Sequence, residues 1–284
     1  MHIFRINRDC EFIIVVGGRY SMNKGKFRKI VKTTTILQLT VLAYILSLSG
    51  CGKKDNLTLD ELAYDQSEKD TIVYLKEGDT FVPYLVLTSD YQGNVLLLRK
   101  NLLENTMPYK ENENIGWTSE QYGSYYEESS VDQFLNTQFL ELLSKTVKSL
   151  MVSSSIEITD KESYSDGIRK LHTISRDVFL LSANELDLGV EYIAVAEGEP
   201  LQYFEDMDYD KKIACLPDGS ECAYWTRTPD LWETYTVLTV GSRAVGSGTA
   251  DICSGVRPAF CLNRSIELKE RKDIVEGKTV YAIE

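Results

Sequence analysis

Tyr224-Trp225-Thr226-Arg227-Thr228-Pro229 and, later in the same third of the chain, Gly255-Val256-Arg257-Pro258-Ala259-Phe260 decide how this sequence reads. Both are strand candidates, and each sets one Arg among apolar and β-branched neighbours. Trp225 and Phe260 are core aromatics, each able to bury a large area. A guanidinium in such a strand needs carboxylate or carbonyl partners once buried. Arg227 and Arg257 therefore read as structural rather than ligand-binding. Pro229 and Pro258 suit strand ends or edges.

Working outward, Pro217-Asp218-Gly219 is a turn, and T-V-L-T-V (236–240) is a further strand between the two motifs. The stretch I-V-E-G-K-T-V-Y-A-I (274–283) reads as a closing hairpin or tail within 269–284. Upstream, T-I-V-Y-L, F-V-P-Y-L-V-L-T and N-V-L-L-L-R form a β-meander from Thr71, turned at Glu77-Gly78-Asp79 and at Asp90–Gly93. Pro83 suggests an edge or a bulge in the second strand. Ser130 and Gln133 form a capping-box pattern. Val131, Phe134, Leu135, Phe139, Leu142, Leu143, Val147 and Leu150 then follow a helical rhythm. D-V-F-L-L-S (177–182) reads as a buried strand, and Ser182-Ala183-Asn184-Glu185 as a second capping box with a stop at Gly189. Strands, two helices, then strands, without βαβ alternation, give an α+β class with a twisted antiparallel sheet.

The 284 residues are 43% hydrophobic and 26% charged, with a net charge of −12. This is a globular composition, neither largely disordered nor collagenous nor multi-span. An acidic chain without a basic stripe beyond its N-terminus argues against nucleic-acid binding. Met1–Gly50 departs from the rest, with eight basic and two acidic side chains. Lys24, Lys26, Arg28, Lys29 and Lys32 precede an uncharged stretch from Thr33 to Gly50 that is shorter in its apolar part than a spanning helix requires. That order is an export signal over 1–50, and Met22 is a better start for it than Met1. Leu48-Ser49-Gly50-Cys51 resembles the bacterial lipobox. The resemblance implies cleavage before Cys51 and a diacylglycerol on its thiol, hence a palmitate-bearing lipoprotein anchored at the outer face of the cell membrane. Residues 51–70 then read as a polar linker and 71–268 as the folded domain.

The two C-terminal motifs together resemble the unknown-function family six-two-seven-three of exported and lipid-anchored proteins, whose members carry W-x-R-S/T-P followed by G-V-R-P-A. Gly78-Asp79, Phe134-Leu135-Asn136 and the D-x-F-L-L-S piece match its order more weakly. The family is similar to C-type-lectin-like domains and, distantly, to formylglycine-generating, sulfatase-modifying proteins. The resemblance implies a C-type-lectin-like α+β domain with two helices and long loops, and no known activity. In such domains the region between the motifs displays the ligand surface. Here that region offers Asp230, Trp232, Glu233, Tyr235, Arg243 and Asp251, with aromatic faces for sugars or peptides and charges to orient them. Trp232 and Tyr235 suit a core role equally well.

Other chemistry is thinly represented. His172 is the only His after the signal, which excludes multi-His zinc sites. G-x-S-x-G, Walker and G-x-G-x-x-G patterns are missing from the sequence. Cys215 and Cys222 flank the Pro217–Gly219 turn and are the favoured disulfide, with Cys253 and Cys261 left over. No Cys matches the closely spaced active-site pair of the formylglycine-generating relatives. Asp206, Asp208 and Asp210 resemble the start of a calcium loop, but Lys211 and Pro217 stand where an EF-hand needs Gly and Glu. No cofactor is expected, and a looser calcium site stays open. The reading is a lipid-anchored binding module for a carbohydrate or a surface protein. An envelope-assembly lipoprotein and a formylglycine-generating-like enzyme are the alternatives.

Overall fold

The computed structural model describes residues 57–67, 71–111, 123–164, 170–189, 193, 195–205, 209–230 and 234–284. The expected signal, Cys51 and the start of the linker lie outside them. The strands in chain order are β1 (Ile72–Glu77), β2 (Thr80–Tyr91), β3 (Asn94–Arg99), β4 (Met107–Pro108), β5 (Met151–Val152), β6 (Ser154–Thr159), β7 (Leu171–Arg176), β8 (Tyr224–Pro229), β9 (Thr236–Val240), β10 (Val245–Thr249), β11 (Cys253–Ser254), β12 (Ala259–Leu262), β13 (Lys269–Arg271) and β14 (Val280–Ile283). They form a seven-stranded sheet in the order β13-β14-β1-β2-β3-β12-β5, a three-stranded sheet β10-β9-β8, and the pairs β11-β4 and β6-β7. The result is a mixed α and β architecture, mostly sheet, with short helices.

The meander forms as its turn residues dictate. Gln92 and Gly93, at φ 55° and 82°, join Tyr91 to Asn94 in the two-residue turn whose twist matches a hairpin. Pro83 lies in an interior strand rather than at an edge. It is tolerated because β3 reaches only to Tyr84 across from Arg99. Beyond that point Pro83 needs only its carbonyl, which accepts from the Lys100 N–H at 3.0 Å. The bulges lie further along β2, between Val86 and Tyr91. One pairing departs from the antiparallel expectation: β14 returns to lie parallel beside β1, Val73 opposite Tyr281. The end of the chain is thus a strand of the large sheet, paired on its other side with β13.

The helical region is shorter than its periodicity suggests. The helix α1 (Tyr64–Ser67) precedes the meander. Downstream, α2 (Ser130–Phe134) runs through a π-helical turn, Leu135–Phe139, into α3 (Leu140–Leu142). Leu143 then turns extended, and Ser144 caps a fresh start, α4 (Lys145–Leu150). The break leaves Leu142 46% exposed while Val131, Leu135, Phe139, Leu143 and Val147 are buried. The N-cap is Ser129, whose hydroxyl accepts from the Asp132 N–H at 3.0 Å. Ser130 instead accepts from the Glu111 N–H at 2.8 Å, so the cap sits one residue earlier than expected.

Two further expectations change. Residues 57–67, read as polar linker, are packed: Leu59, Leu62 and Ala63 are buried, and the backbone of Leu57 and Leu59 bonds that of Leu268 and Ile266. A few apolar side chains in an acidic stretch suffice to dock it. The D-V-F-L-L-S segment is buried, but among the described residues it meets the sheet by one bridge, Phe179 with Ala259. The carbonyls of Leu180 and Leu181 accept from Arg227 in the site described next, while Val178 bonds Asn136 through both its N–H and its carbonyl.

Candidate functional site

The most heavily organised cluster surrounds Arg227 on β8. Its guanidinium donates to both carboxylate oxygens of Glu185, at 2.6 and 3.0 Å, and to the carbonyls of Leu180 (2.8 Å) and Glu157 (3.0 Å). Glu185 is set in place by the second capping box: its Oε2 accepts from the Ser182 N–H at 2.9 Å, and its own N–H donates to Ser182 Oγ at 3.0 Å. Tyr91 adds a hydroxyl donor at 2.7 Å. Gly198, at φ +70°, lets the following loop close over this carboxylate, since a Cβ there would stand 2.8 Å from Glu185 Oε1. A second carboxylate, Glu197, accepts from the Thr159 N–H (2.7 Å) and hydroxyl (2.8 Å) and bonds Thr228 Oγ1 at 2.6 Å.

Arg227, Glu185 and Glu197 are all 0% exposed. Burial pushes the Glu197 carboxyl above the usual carboxylate range, against the pull of Arg227 and the hydroxyls. Burial opposes the Arg227 charge too, but Glu185 outweighs it and Arg227 holds its proton more firmly. Arg257 is satisfied differently, by the carbonyls of Arg99 (3.0 Å), Lys100 (3.2 Å) and Lys212 (3.3 Å) and by the Tyr224 hydroxyl (3.3 Å). Both Arg side chains are thus architectural, holding loops from distant parts of the chain to the strands.

Trp225 and Phe260 are core, at 1% and 0% exposure. The Trp225 ring packs on Gly248, where a Cβ would stand 3.0 Å from it, and its Nε1 donates to Met107 O at 3.0 Å. That contact seats the three-stranded sheet, which carries the region between the motifs. Asp230 and Tyr235 are half-buried, while Arg243 and Asp251 are exposed. The Asp230 N–H donates to Thr236 O, and Tyr235 O accepts from the Ala250 N–H. Arg243 lies in the turn between β9 and β10, and Asp251 follows β10. Ile252 next to it is 50% exposed. Trp232 and Glu233 lie outside the described residues. Sequence reasoning passed over Ile252, because a single apolar residue in a loop carries no pattern.

The remaining candidates are dispersed. Cys215, Cys222, Cys253 and Cys261 are free thiols, not the Cys215–Cys222 disulfide expected. Cys215 stands opposite Glu221 across the turn, so Cys222 is one residue out of register and points to the other face. Burial pushes the Cys261 thiol up to about 12. His172 is exposed on β7, 3.7 Å from Glu127. Asp210 lies in the short turn Tyr209–Lys211, while Asp206 and Asp208 lie outside the described residues. Among the described residues no three His, Cys, Asp or Glu side chains gather as a metal site. A shallow cleft of about 430 Å³ runs between Ser149–Val152 and Asn263–Glu267. Another, of about 420 Å³, is lined by Asp132, Asn136, Ser153, Arg176 and Asp177. Its Arg176 is already clamped on Asp132 at 2.8–2.9 Å.

No curated protein and no solved structure matches the chain. Residues 92–264 match the family described as Domain of unknown function (DUF6273). That span takes in the meander's last strand, the helices from α2 onward, the Glu185–Arg227–Glu197 cluster and both Arg motifs, and the chain belongs to that family.

Proposed function

We propose that the chain is a lipid-anchored, extracytoplasmic binding module of C-type-lectin-like type, whose ligand is a carbohydrate or a surface protein met by the 230–251 region. The supporting observation is a contrast of charges. The buried ions of the two Arg motifs are satisfied by one another and by carbonyls. Arg243 and Asp251, by contrast, are exposed and among the described residues hold no ion pair, with Ile252 bare alongside. Unpaired charge beside an apolar side chain is what a recognition surface offers. No described helix is long and apolar enough to cross a membrane, and the reading gives attachment to Cys51.

The test exposes the full-length chain to a glycan array and to detergent extracts of its own envelope, alongside Trp232→Ala and Ile252→Ser. A specific glycan or one recurrent protein partner, lost in these variants while their unfolding is unchanged, supports the reading. A partner retained by both variants overturns the assignment of the surface.

A further inference from the structure

The two ends of the large sheet are guarded. β13 presents Lys269-Glu270-Arg271, and β5 is two residues long. Charge and shortness are the usual means of keeping a sheet edge from pairing with another chain. β10, the edge of the three-stranded sheet, carries no charge: it reads Val245-Gly246-Ser247-Gly248-Thr249, with Gly246 and Ser247 exposed.

The register shows which backbone groups face outward. Gly241 N–H donates to Ala244 O at one end of the β9–β10 hairpin, and Ala250 N–H to Tyr235 O at the other. Bonded pairs alternate along an antiparallel ladder, and β10 pairs residue for residue with β9 between those ends. Gly246 and Gly248 therefore bond inward. Val245, Ser247 and Thr249 turn their backbone groups to the other side, where the Thr249 carbonyl already accepts from the Ile252 N–H at 3.1 Å.

We infer that two copies of this chain pair edge to edge through β10, antiparallel about Ser247. That centring sets Ser247 opposite Ser247 of the second copy, Val245 opposite Thr249, and Gly246 opposite Gly248. The Ser247 N–H and carbonyl then meet those of the second copy's Ser247, and the Thr249 N–H meets the second copy's Val245 carbonyl. It also sets Arg243 opposite Asp251, twice, because the two stand at equal distance on either side of Ser247. Both are exposed. A strand whose flanking charges are opposite and equidistant from its centre is complementary to itself, as a two-fold interface requires. That match favours a second copy over an unrelated peptide. The strand is short, so the contact is smaller than a permanent interface and the dimer is weak and concentration-dependent. The pairing goes beyond the binding reading, and it engages Arg243 and Asp251, which that reading offers to a ligand. It needs no ligand and is measured without one, so either can fail alone.

Sedimentation velocity on the full-length chain in detergent, without ligand and over a series reaching about 300 μM, tests it. The wild type shifts from monomer to dimer along the series. Arg243→Asp and Asp251→Arg each face like charges across the two-fold axis, and each weakens the dimer by at least about tenfold. An equimolar mixture of the two variants restores it, because in the mixed dimer both positions of one variant are acidic, both positions of the other are basic, and each faces its opposite. A wild type that stays monomeric throughout, a dimer indifferent to both reversals, or a mixture that fails to recover each overturns the pairing.

Discussion

Glu197 holds its proton more firmly in the folded chain than in the unfolded one, because burial raises its pKa. Its folded pKa is raised by burial, so between the unfolded value of about 4.3 and that raised value the native state binds more protons than the unfolded one. Stability contributed by this group is therefore fully present below the unfolded value and is lost as pH rises through the folded one. Glu197→Gln does not titrate and keeps an acceptor for Thr159, while its amide nitrogen replaces the oxygen that accepts from the Thr228 hydroxyl. Plotted against pH, the urea midpoint of the variant minus that of the wild type should rise across that window. A flat difference would contradict the raised Glu197 pKa. Arg227→Met strands the Glu185 carboxylate and should cost about 3–5 kcal/mol. Adding Glu185→Gln should recover part of that loss, and simple additivity in a double-mutant cycle would contradict the bidentate pair. At this scale the chemical type of partner was legible: an Arg in an apolar strand demands carboxylates or carbonyls. Which carboxylate was not legible, since Glu185 stands far from Arg227 in the sequence and only the fold brings them together.

Among the elements, the hairpin of β9 and β10 depends on a missing side chain. Gly248→Val would drive a branched group against the Trp225 ring, which buried surroundings hold in place. It should cost about 1–3 kcal/mol of stability, whereas Gly246→Ala, meeting only Thr239 Oγ1 at 3.3 Å, should cost less. Thermal unfolding of the two variants checks the ranking. Strand periodicity and the Gln92-Gly93 turn made the meander readable, because local chemistry sets both. The helix was readable as a start and a face but not as a break. Its apolar rhythm runs on through Leu142 and Leu143, and the extended turn at Leu143 is a tertiary choice, with Leu143 buried and its backbone bridged to Glu77. The parallel return of β14 beside β1 carries no local signal at all.

On the scale of the whole molecule, the folded unit begins before the meander. Starting the chain at Thr71 would remove Leu59 and Leu62, buried at 0% and 6% exposure, each contributing about 1.5–3 kcal/mol by burial. Such a chain should unfold at a clearly lower urea concentration than one starting at Leu57, and equal midpoints would contradict the packing of 57–67. The tether is tested separately: labelled palmitate should mark the wild-type protein and not Cys51→Ala. The overall class was legible because strands outnumber helices and do not alternate with them. The candidate surface was legible only as a region, since Arg243, Asp251 and Ile252 owe their meaning to exposure, which composition does not report.

An interior that holds the fold is set apart from a rim proposed to meet a ligand, and one paired measurement tests that separation most directly. Ligand capture and urea unfolding are measured on the full-length wild type, Trp232→Ala and Arg227→Met. Trp232→Ala should lose capture, and Arg227→Met should lose several kcal/mol of stability. A Trp232→Ala chain that still captures its ligand, or an Arg227→Met chain of wild-type stability that does not, would contradict it.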